Sequence, residues 1–549
     1  MAHNSIILHR IFLLQRLPKH ICYGLKTRLL SYRNPQCRFF STKPQAQCQP
    51  KKKWCGVVGL EIHAQILSKS KMFSGSATSY GAPTNTQVAL FDAALPGTLP
   101  VLNQRCVEAA VMTALALKCQ INKISTFDRK HYFYSDLPAG FQITQYHKPL
   151  AVDGKLEYII SSASKKQQAI NKMARITQIQ LEVDSGKSLH DHKDHQSLID
   201  LNRAGVGLME IVTEPDFVNG DEAAAFLREL QLILVTLGTC DGKMSEGSFR
   251  VDANISVHHP GEPYGVRTEV KNINSIRHVS KAINFEIKRQ TEELEAGKEI
   301  QNETRSFDID TGETVLMRDK EGFQDYRFMP EPNLPPIYVY DDQSLPETDS
   351  KVVNMDAIQC QIPELPNQKR LRLQQDYELS LDKINMLLFE HGMIVVFEDI
   401  LAIVSHDPLV KPQNIANFLM NDFLSVLKSK NLSIDNSGIP TSALADICTL
   451  TDKDEISKGT AKNVLIELFN RPSQSVRNIV ESNKWYQIND IDRLKDLCEE
   501  AFSQYPEAVM KFKKGRKRAI NPLIVHVLNA TDGCANPQKV KDILLKMLS

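Results

Sequence analysis

Between Gly242 and Asn274 the chain reads GKMSEGSFRVDANISVHHPGEPYGVRTEVKNIN, and this stretch restricts the fold more than any other. Phe249, Val251, Ala253, Ile255 and Val257 are small or apolar and alternate with Arg250, Asp252, Asn254 and Ser256. Val266, Thr268 and Val270 alternate in the same way with Arg267, Glu269 and Lys271. Side chains on a strand change face at every residue, so each arm reads as a half-buried strand. His258, His259, Pro260 and Gly261 supply the turn chemistry, and a hairpin with a long loop is expected. One face then packs on a core, while the other carries Arg250, Asp252, Asn254, Arg267, Glu269 and Lys271. Two readings fit that second face: a salt-bridged sheet surface, or a site where phosphate, metal and carboxylate are bound together.

At 549 residues the chain is too long for one core and suggests about three domains. No apolar run approaches the roughly 18 residues that a membrane helix needs, so no membrane insertion is expected. The eleven cysteines stand singly, with no CxxC pair, which argues against a zinc ribbon, a redox motif or a disulfide framework. Formal net charge is +1, yet the first acidic residue is Glu61. Arginine- and serine-bearing sequence without acids, with Ile6, Ile7, Leu8 and Ile11 to Leu14 near its start, has the composition of a mitochondrial transit peptide. We place that peptide at 1–40, with Arg38-Phe39-Phe40-Ser41 as a matrix-protease site, followed by a flexible segment at 41–56. Cleavage would remove seven basic residues and take the net charge from +1 to −6. Nucleic-acid binding must then come from local basic patches.

Trp54 to Leu67 alternates, with Val58, Leu60, Ile62 and Ala64 on one face and Glu61, His63 and Gln65 on the other. A carboxylate and an imidazole two apart on a strand project side by side, close enough for one divalent ion to bridge. A structural histidine is the competing reading. Ala174 to Asp184 alternates too, presenting Gln178, Gln180, Glu182 and Asp184. Gly186-Lys187-Ser188 is not a phosphate-binding P-loop, because Leu181 stands where the first glycine is required. Val206 to Thr213 is a further apolar strand, carrying Glu210. Helices are expected at Asn103 to Leu117, Asp221 to Leu237 and Ser275 to Ala296. Basic and aromatic residues interleave from Asp128 to Pro138, which suits either base stacking or a loop folded on the core. Beyond about residue 345 short amphipathic helices dominate. The densest basic patch is Lys511, Lys513, Lys514, Arg516, Lys517 and Arg518.

Several of these segments together resemble the B subunit of the glutamyl-tRNA(Gln) amidotransferase. They include VGLEIHAQI at Val58 to Ile66, FDRKHYFYSDLPAGFQITQY at Phe127 to Tyr146, LEVDSGKS at Leu181 to Ser188 and SLIDLNRAGVGLMEIVTEPD at Ser197 to Asp216. MSEGSFRVDANISV, VRTEVKNINSIRHV, MRDKEGFQDYRFMPEPNLPPI and the tail KKGRKRAINPLIVHVL belong to the same pattern. The resemblance runs from Val57 to Leu548 and, with the leader, points to a mitochondrial matrix member.

The resemblance implies an α+β fold: a catalytic cradle at 57–344 with a mainly antiparallel sheet and helices, an all-α region at 345–480, and a small helical tail at 481–549 that grips tRNA. It implies that ATP and Mg2+ serve to phosphorylate the glutamyl side chain of Glu-tRNA(Gln). Ammonia from the amidase (A) partner of the complex then displaces phosphate, with a small third (C) partner strapping the two together. Glu61, His63 and Glu182 match the family's metal-binding positions, and Lys130 and Tyr132 match positions near the ammonia-channel mouth. Glu246, Arg250, Asp252, Glu269 and Lys271 are assigned to nucleotide, metal or tRNA-terminus contacts on the strand-face argument alone. One departure is clear. Four zinc-binding cysteines of some members are replaced by Phe73-Ser74-Gly75-Ser76 and Ala89-Leu90-Phe91-Asp92, so no zinc is expected. A metal-dependent hydrolase and a non-catalytic tRNA scaffold are the competing readings.

Overall fold

A computed structural model describes residues 53–160, 169–191, 195–319, 326–343, 353–472 and 474–548. The expected transit peptide and protease site lie outside the described residues, as do most of the flexible segment and the division expected at 344/345. The alternating stretches form one nine-stranded sheet. In chain order its strands are β1 (Cys55–Gln65), β2 (Gln120–Ile121), β3 (Ala151–Ile160), β4 (Ile170–Val183) and β5 (Gly207–Thr213). They continue with β6 (Phe249–His258), β7 (Thr268–Ile273), β8 (Glu303–Phe307) and β9 (Thr314–Asp319). The spatial order is β9-β8-β7-β6-β1-β5-β4-β3-β2. Every neighbouring pair is antiparallel except β7 and β8. The fold is α+β, as expected.

Three helices cover one face: α1 (Gln104–Ala116), α2 (Gly220–Leu237) and α3 (Ile276–Glu295). Val58, Leu60, Ile62 and Ala64 of β1 and Val251, Ala253 and Ile255 of β6 are buried in that core with Phe226, Leu230 and Ile283. Local sequence sets the helix ends. The Asn219 side chain accepts hydrogen bonds from the backbone N–H groups of Asp221 and Glu222, and Gly238 closes α2 with φ +64°. A Cβ on Gly220 would lie 2.1 Å from the Ser280 carbonyl oxygen of α3, so this glycine sets how closely α2 and α3 approach. Gly220→Ala is therefore expected to lower stability by about 1–3 kcal/mol, read as a shifted urea midpoint.

The hairpin differs from the sequence reading in two ways. Its second strand starts at Thr268, leaving Val266 and Arg267 exposed in the loop. The pairing also slips between Val251 and Ala253, where Asn272 takes φ +56° and donates its backbone N–H to Asp252 Oδ1 at 2.9 Å. The side-chain acceptor compensates the ladder bond lost at the bulge.

The chain stays on the sheet core past the expected 344/345 division, since Val353 and Ile358 are buried in it and Met355, Ile362 and Leu365 pack against it. A second, all-helical core begins with α4 (Pro366–Tyr377) and extends to Val480. A third forms from Leu494 onward. The apolar helix Met393–Val404 buries Met393, Phe397, Ile400 and Val404 in the second core. No helix among the described residues is long and apolar enough to cross a membrane.

Candidate active site on the polar sheet face

Antiparallel register determines which side chains meet. Glu61 lies opposite Asp252, and His63 lies opposite Arg250 on one side and Glu210 on the other. Glu210 pairs in turn with Gln180, and Asn254 with Glu269. Because directly paired residues share a face, Glu269, Asp252, Glu61, His63, Glu210 and Glu182 all project from the face opposite the helices. They span five adjacent strands, β7-β6-β1-β5-β4, or about 19 Å at the usual strand spacing. Glu182, Asp184, Glu210, Asp252 and Glu269 are all buried. Burying carboxylates costs free energy unless partners or ligands compensate, so this density is not that of a solvated sheet.

Three groupings make up the face. At the β4 end, His63, Glu182 and Glu210 each place one ligand atom within 4.8 Å of the others. Gln180 Nε2 donates to Glu210 Oε2 at 2.6 Å. Glu182 Oε2 is buried and has no hydrogen-bond partner among the described residues. Lys130 Nζ stands 3.9 Å from that oxygen and 5.4 Å from the Tyr326 ring centre. Burial pushes the Glu182 carboxyl up, and Lys130 and His63 pull it back. The Glu182 charge raises the Lys130 ammonium, which therefore stays protonated. Burial, with the Glu182 charge, keeps the Tyr132 phenol protonated, and its OH donates to Gln142 Oε1 at 2.6 Å.

Lys130 and Gln142 come from a small sheet of Asp128–His131, Phe141–Thr144 and Met329–Pro330, and Tyr132 directly follows its first strand. It is fastened to β4 by Gln142 Nε2, which donates to the Val183 carbonyl at 2.5 Å, and by Gln145 Oε1, which accepts from Leu181 N at 3.0 Å.

At the β7 end, Lys271 Nζ lies 3.0 Å from Glu269 and 3.6 Å from Asp252. Burial works against its charge, but the two carboxylates outweigh it and raise its pKa. Glu61 accepts from Asn254 Nδ2 at 2.8 Å. In the third grouping, Arg250 makes a two-pronged bond to Asp184, 2.9 and 3.0 Å long. Arg203 lies 3.6 Å from the same carboxylate, and Gln65 Nε2 donates to it at 3.2 Å. Burial opposes ionisation of Asp184, yet Arg250 and Arg203 hold it below the usual carboxylate range.

The structure thus brings His63, Glu182, Lys130 and Tyr132 together with Glu210, and Arg250, Asp252, Glu269 and Lys271 onto the same face. Glu61 sits one residue pair further along, with Asn254 rather than in the imidazole–carboxylate group. Glu246 stands apart on the one-turn helix Met244–Glu246, paired with Lys243 at 3.0 Å. Glu210 and Asp184 read from the sequence as strand carboxylates with no site role attached, and Arg203 carries no sequence signal of its own. Glu210 carried a usable signal, an acid on an apolar strand, but its partner depends on register. The positions matching the absent zinc cysteines also converge: Asp92 Oδ2 accepts from Ser74 Oγ at 3.0 Å, Ala89 N at 2.9 Å and Lys71 Nζ at 3.0 Å.

All of these residues fall within 56–344, which matches the model of the GatB/GatE catalytic domain, and residues 397–548 match that of the GatB domain. The chain belongs to the GatB family. It is 54% identical to the mitochondrial B subunit of glutamyl-tRNA(Gln) amidotransferase from Homo sapiens, over 90% of this chain and 89% of that one. The Drosophila melanogaster protein of the same name is 45% identical over 92% of this chain and 97% of its own. The B subunit of the aspartyl/glutamyl-tRNA(Asn/Gln) amidotransferase of Rickettsia rickettsii (strain Sheila Smith) is 42% identical over 90% of this chain and 98% of its own. The GatB match to the cradle and helical parts gives the polar face its chemical context.

Proposed function

We infer that this chain is the B subunit of a mitochondrial tRNA-dependent amidotransferase, a ligase that uses ATP to turn Glu-tRNA(Gln) into Gln-tRNA(Gln). The observation that carries the site assignment is the buried Glu182 oxygen left without a hydrogen bond beside His63 and Glu210. Glu182 and Glu210 supply the hard carboxylate oxygens by which a protein holds Mg2+, with His63 beside them. Mg2+ held there neutralises phosphate charge when bound.

The remaining residues position the reactants. A carboxylate is a poor acyl donor until one of its oxygens becomes part of a leaving group. The glutamyl oxygen attacks the γ-phosphorus of ATP, and the bond to ADP breaks. Ammonia then attacks the acyl carbon, and inorganic phosphate departs. Lys130, protonated at the edge of the group, offsets negative charge on the transferred phosphoryl group. Lys271, raised between Asp252 and Glu269, is a second fixed cation, placed for a phosphate or the tRNA terminus. Tyr132 keeps its proton and orients Gln142.

Ammonia reaches this face from the amidase (A) partner, which the small (C) partner holds in place, and the assembly works in the mitochondrial matrix. No zinc is required by the reading. The exposed Lys511, Lys513, Lys514, Arg516, Lys517 and Arg518 of the tail suit tRNA phosphates, which are recognised by charge and shape.

The test is amidation of Glu-tRNA(Gln) by the reconstituted complex, supplied with ATP and either glutamine or free ammonia. Glu269→Gln is expected to cut Gln-tRNA formation at least about 100-fold with both nitrogen donors, while the complex still copurifies. Wild-type rates in that variant would favour the scaffold reading.

A further inference from the structure

Lys71 is fully buried, which a lysine tolerates only when paired. Its ammonium is bonded to Asp92 Oδ2 at 3.0 Å and to the Leu201 carbonyl at 3.3 Å. The Leu201 bond reaches into the loop between the strand Gln196–Asp200 and β5. The same loop is seated on Asp92 at Gly205, whose φ is +85° and where a Cβ would lie 2.7 Å from Asp92 Oδ1. Met72 N also donates to the Gly205 carbonyl at 3.1 Å.

Between these two anchor points stands Arg203. Its guanidinium donates to the carbonyls of Ser185, at 2.9 Å, and Gly186, at 2.5 Å, and faces the Asp184 carboxylate. Asp184 is gripped from its other side by Arg250, which lies directly opposite His63 on β1. A continuous chain of contacts therefore runs from the buried ammonium to the polar face.

We propose that Lys71 is a positioning residue for amidation: by clamping the Leu201–Gly205 loop it holds Arg203 on Asp184, and so aligns Arg250 beside His63. This rests on the assignment of the polar face as the reaction site. The Lys71–Asp92 pair has a second consequence that must be separated from the first. Removing one partner strands a buried charge and destabilises the protein, whereas neutralising both removes that penalty.

The experiment compares Lys71→Met, Lys71→Met with Asp92→Asn, and Arg203→Ala in the reconstituted complex, reading the thermal midpoint and kcat for amidation. Lys71→Met lowers both. The double variant keeps an acceptor for Ser74 and Ala89, so its midpoint returns towards wild type, while kcat stays about tenfold or more below it. Arg203→Ala, a partly exposed position whose loss leaves Asp184 still paired with Arg250, reproduces the kcat loss with a smaller drop in midpoint than Lys71→Met. Recovery of kcat together with the midpoint in the double variant overturns the proposal, as does wild-type kcat in Arg203→Ala. Glu182→Gln in the same assay separates the levels. Its inactivity beside a fully active Arg203→Ala rejects the positioning role alone, and its full activity rejects the site.

Discussion

Glu182→Gln is expected to reduce amidation at least about 100-fold while leaving the thermal midpoint unchanged or higher. The two effects have one cause. The Glu182 carboxylate is buried, one of its oxygens makes no hydrogen bond among the described residues, and burial raises its pKa. A charge kept in that state costs folding free energy, and the isosteric amide removes the cost. What the amide cannot do is bind a divalent cation as an anionic ligand or balance the Lys130 ammonium 3.9 Å away. Magnesium titration of activity should therefore shift to higher concentration in any residual rate. A variant that is destabilised and fully active would show that Glu182 serves the fold instead.

The second large effect lies where the sheet part joins the helical part. Arg370 of α4 bonds both oxygens of Glu229 on α2 at 2.7 Å, and the two side chains are only 3% and 4% exposed. Arg370 Nε also donates to Asn385 Oδ1 at 2.8 Å. Arg370→Ala leaves the Glu229 carboxylate buried and unpaired, at an expected cost of about 3–5 kcal/mol. The loss should appear as a lower denaturant midpoint and as faster cleavage between the sheet core and α4 under limited proteolysis. Pairing it with Glu229→Leu should restore most of the stability, because two apolar side chains need no compensation. Because the second helical core and the basic tail follow α4, the single variant should also weaken tRNA binding at permissive temperature. An Arg370→Ala protein with a wild-type midpoint would mean that the pair contributes nothing to the join.

Much of this molecule is local, and that part was legible in the residues. The period-two alternation of Val58 to Gln65, Ile179 to Asp184 and Phe249 to Val257 identified strands and told the core face from the polar face. Asn219 and Gly238 marked the ends of α2 through hydrogen bonds that reach only a few residues. The order of family motifs carried the function, since chemistry selects residue types at particular places along a chain.

Register, closure and burial were decided elsewhere. Glu210 meets His63 across 147 residues only because β5 runs antiparallel to β1 in one particular alignment. A slip of one residue would have sent it to the core face. Lys130 reaches Glu182 because a separate small sheet folds over β4, and Lys71 is buried because a distant loop closes on it. Glu61 and Glu246 looked equivalent to their neighbours as letters, yet one turned to Asn254 and the other, off the sheet, to Lys243. A one-dimensional pattern specifies which face a side chain occupies. Its neighbours there are set by long-range strand pairing, whose free energy belongs to the whole sheet.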